Sequence, residues 1–132
     1  MAGAAKVLVL SMLLAARSGA VTGNVTWEAR DPLPPGAVIE LQLQEIGPAD
    51  APARPVGEVR IPAAGFRSPA PFSIPFDRAA IDERREYAVR ARITDGEKRL
   101  LYLSERRHPV LTRGAGPRAD VLVEPVRTGR TR

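Results

Sequence analysis

The residues able to do chemistry are few, and their spacing defines little. His108 is the single histidine, and it stands between Arg106-Arg107 and Pro109. Neighbouring cations disfavour an imidazolium and make the ring a poor metal ligand. A serine triad would need Ser104 or Ser73 to meet His108 and an acid, and no nucleophile-elbow sequence is present. Asp82, Glu83 and Glu86 form an acidic cluster that invites comparison with paired-carboxylate glycoside chemistry. Arg84 and Arg85 interrupt it, which reads as a solvated turn. The same cluster lacks the spaced oxygen ligands of a calcium loop. Gly114-Ala-Gly116-Pro117 lacks the lysine and following helix of a phosphate cradle. Asn24-Val25-Thr26 is formally a glycosylation acceptor, set within a strand-like segment where it is silent. With no cysteine, thiol nucleophiles, zinc-thiolate sites and disulfides are excluded. No catalytic residue, metal site or cofactor is therefore assigned.

The candidate that remains is a polar surface. In the segment 37–46, Ile39, Leu41 and Leu43 alternate with Glu40, Gln42 and Gln44. In Glu86 to Thr94, Tyr87, Val89, Ala91 and Ile93 alternate with Ala88, Arg90 and Arg92. Period-two alternation marks strands with one buried and one solvated face. If these two strands are neighbours, Glu40, Gln42, Gln44, Arg90 and Arg92 share one face, and Glu40 and Arg92 form a cross-strand pair. These five are the candidate partner-binding residues. A second candidate is the strand Phe72 to Phe76. Its Pro71 and Pro75 cannot donate to a ladder, so it belongs at a sheet edge.

The elements that must hold this face follow from the punctuation. Seven short strands are predicted: 21–29, 37–46, 56–61, 72–76, 86–94, 99–104 and 119–126. Prolines and glycines separate them, 13 and 11 in all. Asp77 caps a short turn, and Asp95-Gly96 is the strongest hairpin signal. Tyr87 sits where an immunoglobulin-like corner places a tyrosine hydroxyl against upstream backbone, although a plain core role is open as well. No long amphipathic helix is present to cover a single sheet. The expected fold is all-β, an antiparallel seven-stranded sandwich of the immunoglobulin or transthyretin kind.

The ends differ from this body. Lys6 precedes the apolar run Val7-Leu-Val-Leu-Ser-Met-Leu-Leu-Ala-Ala16, and Ser18-Gly19-Ala20 supplies small residues. That order is the order of a signal peptide over residues 1–20, with cleavage after Ala20. The run is shorter than the about 20 residues of a stable membrane span. Removing it takes away Lys6 and Arg17, two of 20 basic residues, and none of the 15 acids, so the net charge falls from +5 to +3. Residues 127–132 carry Arg127, Arg130 and Arg132, read as a solvated, disordered tail. The body between is nearly balanced. The high isoelectric point thus argues poorly for nucleic acid, and aromatics at 5% would make a sparse stacking surface.

Several segments carry a family resemblance across residues 21 to 126. Val21-Thr-Gly-Asn-Val-Thr-Trp27, Leu33-Pro-Pro-Gly-Ala37 and Leu41-Gln-Leu43 resemble the opening of YbaY-type lipoproteins. Pro71-Phe-Ser-Ile-Pro-Phe-Asp77, Ala80-Ile-Asp82, Tyr87-Ala-Val-Arg-Ala-Arg-Ile93, Asp95-Gly96 and Pro109-Val-Leu-Thr-Arg113 extend it in the same order. The YscW-type lipoprotein chaperones (pilotins) of type III secretion share this domain. The resemblance implies a small β-sandwich of the bacterial envelope, without a catalytic motif, acting on an envelope protein client. Members are typically lipoproteins. Here Leu14-Ala15-Ala16-Arg17 resembles a lipoprotein box with Arg17 in place of the lipidated cysteine. The expectation is therefore a soluble exported protein, periplasmic or extracellular, with a binding or chaperone-like role. The alternative is a carbohydrate-binding sandwich, which requires exposed aromatics on a concave face.

Overall fold

The computed structural model describes residues 17–48 and 51–126. The apolar run of the N-terminal segment and the arginine tail lie outside the described residues. Among the described residues, nine strands form two layers: β1 (Ser18–Thr26), β2 (Val38–Ile46), β3 (Arg54–Pro62), β4 (Ala70–Asp77), β5 (Glu86–Thr94), β6 (Leu100–Leu103), β7 (His108–Val110), β8 (Arg118–Leu122) and β9 (Glu124–Pro125). The small sheet runs β4-β1-β8. The large sheet runs β3-β2-β5-β6-β9, with β7 paired to β5 beside β6. The all-β sandwich expected from the alternation is present.

The layers meet because each alternating strand turns its apolar face inward. Val21 and Val25 of β1 and Phe72 and Ile74 of β4 face Ile39, Leu41 and Leu43 of β2 and Val89 and Ile93 of β5, all buried. Among the described residues β4 has β1 as its single ladder partner, so Pro71 and Pro75 lie on an edge strand as their missing donors require. β3 comes so close to β4 that a Cβ on Gly57 would stand 2.7 Å from the Pro75 carbonyl oxygen. That contact closes one side of the sandwich.

Three features depart from the sequence expectation. β1 starts at Ser18, and Ser18, Gly19 and Ala20 pair with Asp77, Phe76 and Pro75 of β4. β1 and β8 pair in parallel, from Thr22↔Arg118 to Thr26↔Leu122, within an otherwise antiparallel fold. The single strand expected over 119–126 is divided: β8 belongs to the small sheet, Val123 is buried between, and β9 belongs to the large sheet. The chain thus crosses from one layer to the other within a few residues. The Asp95-Gly96 signal does mark the β5–β6 hairpin. The positive φ falls on Lys98 (66°), so the loop spans residues 95–99 rather than two.

Tyr87 serves both roles left open. Its ring is 1% exposed, and its hydroxyl accepts from the Asp82 N–H at 2.9 Å while donating towards the Ala80 carbonyl at 3.4 Å. The tyrosine therefore pins the short 3-10 turn Arg78–Ala80, capped by the Asp77 carboxylate on the Ala79 N–H, to the start of β5.

Candidate functional site

β2 is the centre of the polar face, with β3 and β5 on its flanks. The register places Glu40 opposite Arg92 and Arg60, and Gln42 opposite Arg90 and Glu58. Glu40, Gln42, Gln44, Arg90 and Arg92 therefore share one solvent-facing surface, as alternation alone requires once these strands are neighbours. They line a shallow concavity of about 370 Å³, to which Glu58, Arg60 and Leu103 also contribute.

The face divides into two rows of different character. In the first, Arg92 Nε donates to Glu40 Oε1, and Arg60 reaches Glu40 Oε2 at 3.4 Å. One carboxylate is shared by two guanidinium groups, and Leu103 of β6 extends the row beyond Arg92. In the second row, Arg90 and Glu58 flank Gln42 without a side-chain partner among the described residues. Adjacent strands lie about 4.8 Å apart, so the backbones carrying Arg90 and Glu58 stand roughly 10 Å from each other across Gln42, and no ion pair joins the two among the described residues. Gln44 Nε2 donates to Gln42 Oε1 at 2.7 Å, orienting both amides. The second row thus offers one cation, one anion and an amide pair to an incoming chain. Glu58 and Arg60 are not among the five expected contact residues, because only the pairing of β3 with β2 brings them to this face. Their alternation with Val59 and Ile61 was the signal.

The other chemical candidates resolve into structural parts. His108 is half-buried on β7 instead of exposed in a loop, and its Nδ1 is buried without a hydrogen-bond partner. Burial is the main cause that lowers its pKa, with the Arg106 charge adding to it. The Ser104 hydroxyl accepts from the Ala91 N–H at 2.9 Å, so it completes the β5–β6 connection. Ser73 lies on β4, in the other sheet. Asp82 is held by the side chain of Arg84 and by its backbone N–H, which keep its carboxyl below the usual range. Glu86 faces Arg113 at 3.8 Å. Among the described residues, no group of three metal-ligating side chains occurs. The loop 114–117 instead closes on the Leu111 N–H, which bonds the Gly116 carbonyl.

A glycan platform is missing. Trp27, Phe72 and Tyr87 are buried, and Phe66, Phe76 and Tyr102 are partly buried against the core. The Trp27 ring sits 6.2 Å from that of Tyr102, centroid to centroid. No aromatic lines the polar concavity. The carbohydrate-binding alternative needed the opposite arrangement.

Fold and face together define a small two-sheet β domain that presents one open, charged sheet surface. The chain belongs to the family described as "Type III secretion system lipoprotein chaperone (YscW)", which it matches over residues 16–123. It is 30% identical over 106 residues to a protein of Escherichia coli (strain K12) described as "Uncharacterized lipoprotein YbaY", a match covering 80% of this chain. The chain spans about half of that relative's length, 55%. It is also similar to an alternative pilotin from the type II secretion system of Vibrio cholerae, at 27% identity and a TM-score of 0.78. That match covers 83% of this chain and 97% of the pilotin structure. The resemblance read from the sequence is thereby shown. Among the described residues, no helix is long and apolar enough to cross a membrane.

Proposed function

We propose that this chain is a non-enzymatic binding module of the bacterial envelope with a chaperone-like role toward an envelope protein client. Family membership supports the setting, since the relatives are named as lipoproteins, lipoprotein chaperones and pilotins. The observation that carries the binding surface is the second row of the polar face. Arg90 and Glu58 have no side-chain partner among the described residues, although Glu40, Arg92 and Arg60 one row away are paired. Charged groups left unpaired on an open face supply orientation and on-rate to a partner of matching pattern. Glu40, Gln42, Gln44, Arg90 and Arg92 are the proposed contact residues.

Residues 1–20 are proposed as the export signal, and the product as soluble, because Arg17 replaces the cysteine on which a lipid would be carried. Cleavage after Ala20 would remove three residues that pair with β4, so the mature strand would start at Val21. An intact mass of the native protein from separated soluble and membrane fractions decides this point. A cytosolic chain retaining Met1 would overturn the export reading.

The contact surface is tested with a photo-crosslinking residue at Gln42 and, as comparison, at Ser73 on the outer side of β4. The expected result is a defined envelope-protein adduct from Gln42 alone, reduced at least about tenfold by Arg90→Glu, since reversing one well-placed interfacial charge costs more than 1.4 kcal/mol. Equal adducts from both positions, or insensitivity to Arg90→Glu, would remove the polar face from the reading.

A further inference from the structure

A cleft lies at the end of the sandwich where β2 finishes at Ile46 and β5 starts opposite it at Glu86. It consists of two adjoining hollows, of about 680 Å³ and about 430 Å³. Ile46, Glu86, Arg107 and Arg113 line both and so form the wall where the two meet. The first hollow is basic, with Arg84 and Arg85 joining Arg107 and Arg113 against Asp82 and Glu86. The second is mainly apolar, with Ala88, Pro109 and Ala115 in its lining. Neither shares a lining residue with the polar face.

The four arginines are not equivalent. Arg84 is held by Asp82 at 3.1 Å and Arg85 by Glu45 at 3.0 Å. Arg107 has no hydrogen bond or ion pair among the described residues. Arg113 has the Arg84 carbonyl at 3.4 Å and the Glu86 carboxylate at 3.8 Å, the latter beyond hydrogen-bonding distance. Two guanidinium groups thus keep most of their donors open on the common wall. Backbone contacts fix the loop that carries Arg113. The Thr112 hydroxyl donates to the Arg85 carbonyl at 2.6 Å, and the Leu111 N–H bonds the Gly116 carbonyl at 2.8 Å. This loop holds left-handed φ at Leu111 (72°), Arg113 (57°) and Gly114 (92°). Such backbone is strained at residues other than glycine and collects at ligand clamps.

We propose that this cleft takes the phosphate of an anionic phospholipid at a bilayer surface, on Arg107 and Arg113, with the glycerol and first methylenes of the lipid in the apolar hollow. Guanidinium donors match phosphate oxygens in pairs. Arg84 and Arg85 stand at the same rim, 89% and 55% exposed, and turn toward solvent. Several cations at one end of the molecule suit an array of headgroups better than one isolated carboxylate. The apolar hollow beside them suits a lipid better than a bare anion. The proposal shares the envelope setting argued above and does not rest on the polar face, since vesicle binding is read without any client.

The test is co-sedimentation of the full chain at low salt with vesicles of phosphatidylcholine alone and of phosphatidylcholine carrying roughly 30% phosphatidylglycerol. Binding is expected to the anionic vesicles only. Arg107→Gln with Arg113→Gln should lower the partition constant roughly 25-fold, the effect of two cations near the surface. Arg30→Gln with Arg67→Gln removes the same charge at the far end of β1, and should change binding by less than about threefold. In NMR spectra, soluble dihexanoyl-phosphatidylglycerol should shift the Ile46 and Ala115 methyls, and inorganic phosphate should leave them in place. Equal sedimentation with both vesicles would overturn the proposal, as would a loss no greater than that of the Arg30, Arg67 variant. Equal methyl shifts from inorganic phosphate would overturn it in favour of a free-anion site. Methyl shifts from N-acetyl-leucine without vesicle binding would overturn it and assign the cleft to a protein C-terminus.

Discussion

The substitution Gly23→Ala puts one methyl group where the structure has no room. Gly23 lies at the middle of β1, opposite Ala119 in the parallel β1–β8 pair. A Cβ there would stand 1.6 Å from the Ala119 carbonyl oxygen and 2.7 Å from its carbon. Both atoms are backbone, so no rotamer relieves the clash. Restoring a normal contact requires β1 and β8 to part by about 1.5 Å, and a hydrogen bond of about 2.9 Å would then exceed about 4 Å. The bonds at risk include Thr22 N–H to Pro117 and Val123 N–H to Thr26, now 3.0 and 2.9 Å. Two or three lost bonds at about 1 kcal/mol each, with looser packing of the fully buried Val121, give a cost of roughly 3–5 kcal/mol. With a urea slope of roughly 2 kcal/mol/M, the unfolding midpoint falls by about 2 M. Trp27, 4% exposed, is the fluorescence probe. Gly116→Ala is the comparison, since nothing lies within 4 Å of its added Cβ, and it should stay within about 0.5 kcal/mol of the parent. A Gly23→Ala midpoint indistinguishable from that of Gly116→Ala would refute the steric account of the β1–β8 pair.

Three further outcomes follow from named contacts. Tyr87→Phe leaves the Asp82 N–H without its acceptor at a part-buried corner, so urea unfolding should show a loss of about 1–3 kcal/mol, with native-like far-UV dichroism retained. Glu40→Gln removes both ion pairs of the first row, but the arginines are 56% and 66% exposed, so the loss stays below about 1 kcal/mol and shrinks further near 1 M salt. Stability should rise with pH through two windows. Asp82 is held below its ordinary pKa chiefly by the Arg84 side chain, and Asp95 by the backbone N–H groups of Arg99 and Glu97. Their unfolded forms bind protons first, so their contribution is present above the unfolded pKa and is lost as pH falls through the lower folded value. His108, also lowered, gives a loss that starts as pH drops below about 6.5 and ends at its folded pKa. Denaturation midpoints across pH 3 to 8 check the signs: Asp95→Asn flattens the acid window, and His108→Gln the neutral one.

Where side chains alternate strictly, the sequence was read correctly. β2 and β5 emerge with their faces because Ile39, Leu41, Leu43 and Tyr87, Val89, Ala91, Ile93 leave one face of each strand to be buried. Adjacency then gives the five-residue polar face, and the observed register sets Glu40 opposite Arg92. Pro71 and Pro75 placed β4 at an edge for the same local reason, a missing donor. β7 escaped notice because three residues, one of them Pro109, carry no period, and its existence depends on β5 having an open flank at Tyr87 to Val89. The division of 119–126 escaped because both halves alternate. Which sheet each joins is decided by distant partners, Thr22 to Thr26 for β8 and Tyr102 to Leu103 for β9. The unpaired state of Arg90 and Glu58 was hidden as well, since it depends on β3 lying on the far side of β2.

The parallel β1–β8 pair joins the first strand to nearly the last, and this sets a time order on the molecule. A polypeptide emerging from its N-terminus presents β1 early, yet β1 cannot gain its second neighbour until residues 118–122 have followed. Closing that loop is entropically slow, because contacts of long sequence separation are rewarded only after most of the chain is ordered. The three-stranded layer is thus a completion clasp. A chain truncated before Arg118 holds Val21 and Val25 beside an empty lane where Val121 and Val123 belong. Such a chain should be read by proteases as unfinished, and cooperative burial should switch on only once residues 118–122 have joined β1.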